Sequence, residues 1–351
     1  MKILKLFISV SVILMIYFAG IGLGYATEGV SDEAGTISSR GILYVLYSGD
    51  NGYPPCVKIF DNINSSTSIV SREARVISGK ATCLRNPYDS ICIDKANDEL
   101  YIGDAIGACI LVFSNASTIE GNVAPARNIS GEATLINTPT GIAVDPSNNY
   151  VYVADFYDDE IYAFGRTQDG NVAPLRKIAG DNTKVFGPMS LSYDQANDRL
   201  YVANSAADSI LVFDNASTIN GDVAPSRVIN HETYVTGPTS VSVDTSRDIL
   251  YVSMRSTQEV CIWENASTIN GSVAPNRQIK GSNTKNDTPL CIAVDPVNDR
   301  LYEDNDIMSS KPQRIGIWYN ASKVNGNIAP SKVVSDEAAG NKAATAGIAI
   351  D

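Results

Sequence analysis

Histidine is almost absent from this chain. His231 is the one imidazole in 351 residues, so a zinc centre built on two or three histidines is excluded, and with it the metal-bound water that such centres activate. No serine sits in a Gly-x-Ser-x-Gly elbow that His231 could serve as base. Basic side chains are scarce as well: 27 Lys and Arg face 39 Asp and Glu, a formal net charge of −12. That acidity repels phosphate backbones and anionic membrane surfaces, so no nucleic-acid partner is expected. The six cysteines contain no Cys-x-x-Cys pair, which removes zinc knuckles and thioredoxin-like dithiols. Gly20, Gly22 and Gly24 lie in an N-terminal apolar segment and not between a strand and a helix, so no phosphate loop is present.

That segment, residues 1–26, carries Lys2 and Lys5, then a long apolar run, then Gly24-Tyr25-Ala26. Small residues at the positions a signal peptidase reads make it a signal peptide, with an uncleaved membrane anchor as the alternative. Either way the rest of the chain is expected to be exported, to the periplasm, the extracellular space or the cell surface. Residues 27–40, with Glu28, Asp32, Glu33, Ser38 and Ser39, read as a flexible lead. Residues 41–351 read as one domain.

Within that domain a unit recurs about every fifty residues, a period that signals a repeat architecture. Its starts are marked by Pro87, Pro139, Pro188, Pro238 and Pro289. The copy from Pro188 shows the content. Met189–Asp194 and Arg199–Ala203 read as two strands joined by a tight turn, Ser209–Phe213 as a third, and the segment Ala224–Ile229 as a fourth. Pro225 inside the fourth segment cannot donate to a ladder, so that strand is expected at a sheet edge. Four-stranded sheets repeated radially make a β-propeller, here all-β and six-bladed. The copy at 41–78 lacks its innermost strand, and residues 346–351 (AGIAID) match 140–145 (TGIAVD) almost letter for letter. The C-terminal strand 346–351 is therefore expected to join the N-terminal blade and close the ring.

The run Pro139–Asp155 (PTGIAVDPSNNYVYVAD), followed by Glu160–Phe164 (EIYAF), resembles the NHL repeat, and the match recurs in every unit of 41–351. The resemblance implies a six-bladed propeller of the NHL and gluconolactonase-like group, whose members include ligand-binding modules, zinc-dependent amidating lyases and calcium-dependent lactonases. The lack of histidine counts against the lyases. Some exported members are labelled DNA-binding, but this chain has no basic stripe.

Several conspicuous residues are explained by the repeat itself. Asp94, Asp145, Asp194, Asp244, Asp295 and Asp351 end the innermost strand of each blade, where a carboxylate can cap the following turn. The Asn-Ala-Ser tripeptides at Asn115, Asn215, Asn265 and Asn320 sit where the third strand ends; they read as caps of a helical turn, with N-glycosylation open in a host that performs it. Trp263 and Trp318 replace Phe113, Phe164 and Phe213 and are expected in the core between blades.

What remains for chemistry is the axial ring at one face. The first strands open there with mostly small or neutral residues and one carboxylate, Asp89. The second strands end nearby with Tyr47, Asp104, Asp155, Asn204, Met254 and Asn305. Asp89, Asp104, Asp155, Asn204 and Asn305 are thus the ligand-binding candidates, and Asp89, Asp104 and Asp155 are the candidate ligands of a calcium ion, a hard cation that takes oxygen donors. Two turns are locally acidic, one at Asp155, Asp158, Asp159 and Glu160, the other at Glu303, Asp304 and Asp306. A disulfide from Cys83 to Cys56 or to Cys109 is geometrically reasonable, and Cys92 reads as a small buried hydrophobe. The expected function is a non-catalytic binding or scaffolding module for an unknown protein or small ligand, without cofactor. The alternatives are a calcium-dependent lactonase-like hydrolase and a cell-surface structural or assembly component.

Overall fold

The computed structural model describes residues 41–49, 54–64, 74–286, 288–305, 314–335 and 345–351; of the strand residues Asp89, Asn305 and Ser335 only the backbone is described. The signal segment and the flexible lead expected at 1–40 lie outside the described residues. Among the described residues no helix is long and apolar enough to cross a membrane.

Six four-stranded antiparallel sheets are formed. Five are continuous in sequence, at 87–130, 139–178, 188–229, 238–279 and 289–335. The remaining blade combines Leu43–Tyr47, Cys56–Phe60 and Arg75–Ser78 with the C-terminal strand Thr345–Ile350. The closing strand pairs Tyr44 with Ala349 and Val45 with Ile348, and Gly41 N donates to Asp351 O at 3.1 Å. The closure expected from the sequence is what the chain does, one residue earlier at its start. Innermost strands touch in succession, Pro87–Asp94 on Pro139–Asp145 and so on round to Pro289–Asp295 on Thr345–Ile350, which returns to Pro87–Asp94, so the ring is complete.

Second and third strands are buried along most of their length, because each sheet is covered on both faces by neighbouring blades; Glu99–Asp104 is buried at all six positions. Hydrophobic clusters accordingly straddle blade pairs. Trp263 packs with Tyr201, Ala203 and Val212 of the preceding blade, as expected of an inter-blade aromatic, and its indole N–H donates to Val273 O at 2.9 Å.

Small residues near the axis serve close approach. Ser240 Oγ accepts the amide of Ile292 at 3.1 Å and Ser242 Oγ that of Val294 at 3.2 Å, each across to the next blade. A Cβ on Gly141 would come within 2.9 Å of Ser190 Cα, closer than non-bonded carbons approach.

The strand-ending aspartates do cap their turns. Asp94 Oδ1 accepts the amides of Ala96 and Asn97 at 3.1 and 3.2 Å, and Asp145 and Asp295 repeat the pattern. Two readings are corrected. The repeat proline does not lie inside the fourth strand: Pro225 precedes Arg227–Ile229, and the next residue, Ser226, makes the donation to Val212 O at 2.8 Å. The strand is still the sheet edge, and the following blade covers it, with Ile77, Ile129, Ile178, Ile229 and Ile279 bridged in parallel to Gly121, Gly170, Gly221, Gly271 and Gly326. The Asn-Ala-Ser turns are not capped by their own asparagines. Asn115 adopts a left-handed φ of 58°, which asparagine tolerates, while Ser117 is held through its amide and hydroxyl by Asp98 at 2.9 and 2.8 Å.

Candidate functional site

Three of the five residues expected to bind a ligand, Asp104, Asp155 and Asn204, are engaged with the protein's own backbone. Asp104, ending the second strand of its blade, accepts the amides of Arg85 at 2.5 Å and Gly107 at 2.7 Å. Asp155 accepts those of Asn137 at 2.7 Å and Thr138 at 3.0 Å. Asn204 accepts from Phe186 N at 2.7 Å and donates to Lys184 O at 2.9 Å. Each side chain thereby latches the connection that enters its own blade, a role the apolar Met254 cannot fill at the same register. Burial raises the Asp155 carboxyl above its ordinary value, opposed by those same amides. The side chains of Asp89 and Asn305, the other two candidates, lie outside the described residues. Among the described residues no group of three or more His, Cys, Asp or Glu is placed to hold a metal ion.

The acidic turns are likewise spoken for in part. Asp159 accepts Gly187 N at 2.7 Å, and Glu160 pairs with Lys177 at 2.8 Å. Asp304 is buried and accepts the hydroxyl of Thr345 on the closing strand. Glu303 is fully buried and has neither carboxylate oxygen hydrogen-bonded; burial, reinforced by Asp304, pushes its carboxyl well up. Asp306 is outside the described residues.

None of the six cysteines is in a disulfide; Cys83 is exposed and Cys56 and Cys109 are buried. Burial pushes the Cys92 and Cys109 thiols up to about 12, so neither has the thiolate character that reactivity requires. His231 turns its Nδ1 to the amide of Thr233 at 3.2 Å and packs on Tyr234.

A different set of residues forms the concavity at this face. The openings of first strands and the turns after second strands line a cavity of about 470 Å³ with Tyr88, Ile106, Phe156, Tyr157, Met189 and Arg255 among its walls. Tyr157 and Ile106 are 72% and 67% exposed. Phe156 and Tyr157 meet edge-on with ring centroids 5.2 Å apart. Phe156 is anchored by its amide, which donates to Thr138 O at 3.0 Å. The equivalent turn in the next blade offers Ser205 and in the one after it Arg255 and Ser256, so the apolar wall is concentrated on one side and a guanidinium stands on the other. Such a mouth can bury an apolar or aromatic group and meet an anionic one. Large apolar residues in turns that the next two blades fill with small or polar residues, Ser205-Ala206 and Arg255-Ser256, are the sequence signal for it. Attention to oxygen donors at the strand ends, one or two positions earlier, passes it by.

No protein-family model matches the chain, and no curated protein matches it. Among solved structures the chain is similar to one from the crystal structure of a nidogen/laminin complex, at 14% identity over 88% of this chain and 97% of that chain, with a TM-score of 0.61. It also aligns with hydrazine synthase of Kuenenia stuttgartiensis at 14% identity, over 61% of this chain and 53% of that one, with a TM-score of 0.43. At that identity the first likeness establishes the propeller fold and nothing finer.

Proposed function

We propose that the chain is an exported, NHL-like β-propeller that acts as a non-catalytic binding module and takes a protein partner at the axial mouth. The observation that carries this reading is the exposed pair Ile106 and Tyr157, lining a cavity with Phe156 and facing Arg255. Solvent-exposed aromatic and aliphatic groups gathered in one concavity are a recognition surface, and aromatic anchors dominate the energetics of protein interfaces. The carboxylates and amide nearby are turned inward to the loops they latch, which leaves the mouth few groups for acid–base chemistry. The nidogen/laminin structure is that of a complex between proteins, in keeping with a protein partner on this architecture. The basic, apolar N-terminus and its small-residue end support export.

The partner fitted to this mouth presents an apolar side chain beside a carboxylate. Selection of a random peptide library on the full chain tests it. Enriched peptides should carry an aromatic or aliphatic anchor next to an acidic residue, and should bind a Tyr157→Ala, Ile106→Ser double variant about tenfold or more weakly, the loss of one good anchor. Peptides that bind the double variant as well as the parent, or no enrichment, would refute the assignment.

A further inference from the structure

The connection from the fifth to the sixth blade breaks the repeat at a buried position. The residue two after the threonine that recurs in this connection is Leu84, Ile136 or Val185 in earlier blades, and its amide donates to that threonine's hydroxyl at 3.2–3.3 Å. At 286 the backbone is unchanged, with Asn286 N donating to Thr284 Oγ1 at 3.2 Å, but the side chain is an amide. Asn286 is only 8% exposed, and neither its oxygen nor its nitrogen has a hydrogen-bond partner. A buried amide without partners is destabilising, so an unbroken series of apolar residues has here been interrupted at a penalty.

Asn286 lines a cavity of about 560 Å³ shared with Lys280, Lys285, Arg314, Thr257 and Ser282. Three cationic side chains meet there in a chain whose balance is strongly acidic. Lys280 stands 3.4 Å from buried Glu259, and Arg314 donates to Lys285 O at 2.6 Å, which fixes the guanidinium at the rim. Lys285 makes no ion pair among the described residues. Thr257 Oγ1 is a further buried polar atom without a partner. The corresponding cavity two blades earlier is lined by Asp158, Asp159, Glu160 and Asp181, with Lys184 at the position of Lys285. The scaffold does not dictate the sign of the charge: Lys280 and Arg314 add cations here, where the earlier cavity carries carboxylates.

We infer that this cavity binds a tetrahedral oxyanion, the phosphate or sulfate group of a small ligand, with Lys285, Arg314 and Lys280 supplying charge and Asn286 Nδ2 and Thr257 Oγ1 supplying neutral donors. Cationic donors and neutral N–H or O–H groups converging on one space suit an oxyanion, whose several acceptors take charge-assisted hydrogen bonds. The volume exceeds what a bare ion fills and leaves room for an organic remainder. Residues 255–258 form a single turn that gives Arg255 and Ser256 to the axial mouth and Thr257 and Gln258 to this cavity, but the oxyanion site does not depend on the mouth having a partner.

Calorimetric titration of the full chain at constant ionic strength, with inorganic phosphate, inorganic sulfate, glucose 6-phosphate and glucose, tests the inference. Saturable binding of phosphate or sulfate is expected; the tighter of the two identifies the group, and tighter binding of glucose 6-phosphate than of phosphate identifies an organic ligand. Two variants separate binding from folding. Asn286→Val restores the side chain of Val185 and should melt at the same or a higher temperature while weakening the oxyanion at least tenfold. Lys285→Asn removes the ammonium and keeps a residue that accepts the φ of 64° found there, with a similar loss. No saturable heat with any of the three anions, or affinity that survives both substitutions, would overturn the site.

Discussion

Asp222 occupies the space that a side chain on Gly180 would need. A Cβ at Gly180 would lie 2.5 Å from Asp222 Cγ, while Asp222 Oδ1 accepts the amide of Asn182 at 2.7 Å and Oδ2 its side-chain amide at 2.8 Å. Gly180 follows the last strand of one blade, at the start of the connection, and Asp222 lies in a loop of the next. The same pairing joins Gly79 to Asn122, Gly131 to Asn171 and Gly281 to Asn327, so it is a clasp between blades repeated round the ring. With φ at 117° and ψ at 166°, Gly180 also holds a backbone conformation open essentially to glycine alone.

Gly180→Ala is therefore expected to destabilise the domain by about 1–3 kcal/mol, through backbone strain and displacement of the Asp222 carboxylate. Asp222→Ala, which removes the acceptor and leaves the glycine, should cost about 1 kcal/mol. Urea unfolding of both variants checks this. Equal small losses would mean that the glycine is tolerated for reasons other than the clasp.

Removal of residues 345–351 should convert a cooperative fold into an aggregating chain. Thr345–Ile350 is the innermost strand of the first blade, and Ile348 and Ile350 lie in the core cluster that joins first and last blades. Without it the ladder groups of Leu43–Tyr47 are left as an open edge at the axis. Loss of a single melting transition and a shift to large species in light scattering are expected; an unchanged melting curve would dissociate closure from stability.

Most of this architecture is readable from residues alone because each blade repeats the same solution. Sixfold recurrence of the strand-ending aspartate separates a turn cap from a catalytic acid, and the likeness of 346–351 to 140–145 assigns the closing strand. Positions whose role depends on what lies across a blade boundary are harder to read. Whether Asp104 and Asp155 face the axis or their own entry loops depends on side-chain direction, which the period of a strand does not specify. Ile106 and Tyr157 stand out only once the turns are superposed in space. Asn286 becomes anomalous when set against Leu84, Ile136 and Val185, and only burial shows that its amide is stranded.

Millimolar calcium added after EDTA should leave the melting temperature unchanged, because Asp104 and Asp155 direct their oxygens to backbone amides that an ion would have to displace. Asp155→Ala should instead destabilise by about 1–3 kcal/mol, since the amides of Asn137 and Thr138 lose their acceptor. A calcium-dependent rise of several degrees that Asp104→Asn abolishes would restore a metal to the ring, by the mass action of a ligand that binds only the folded state.

Glu303 should make the protein less stable as pH rises. It follows Tyr302 where the other blades carry Val45, Ile102, Val153, Val202 and Val252, all fully buried. Its unpartnered carboxyl is pushed well up, first by burial and then by Asp304, against the opposing charge of Arg314. The folded value lies above the unfolded one, about 4.3 for glutamate. Between the two values the native state retains a proton that the unfolded chain has released, so its contribution is intact below about pH 4.3 and is lost as pH climbs through the folded value. Glu303→Val, which installs the residue of the sibling blades, should stabilise by about 1–3 kcal/mol at neutral pH by removing a stranded polar group. The gain should shrink toward acid. Unfolding free energies of parent and variant from pH 4 to 8 check both the sign and the window; a gain that does not change across that range would mean that Glu303 is charged in the fold at all of these pH values.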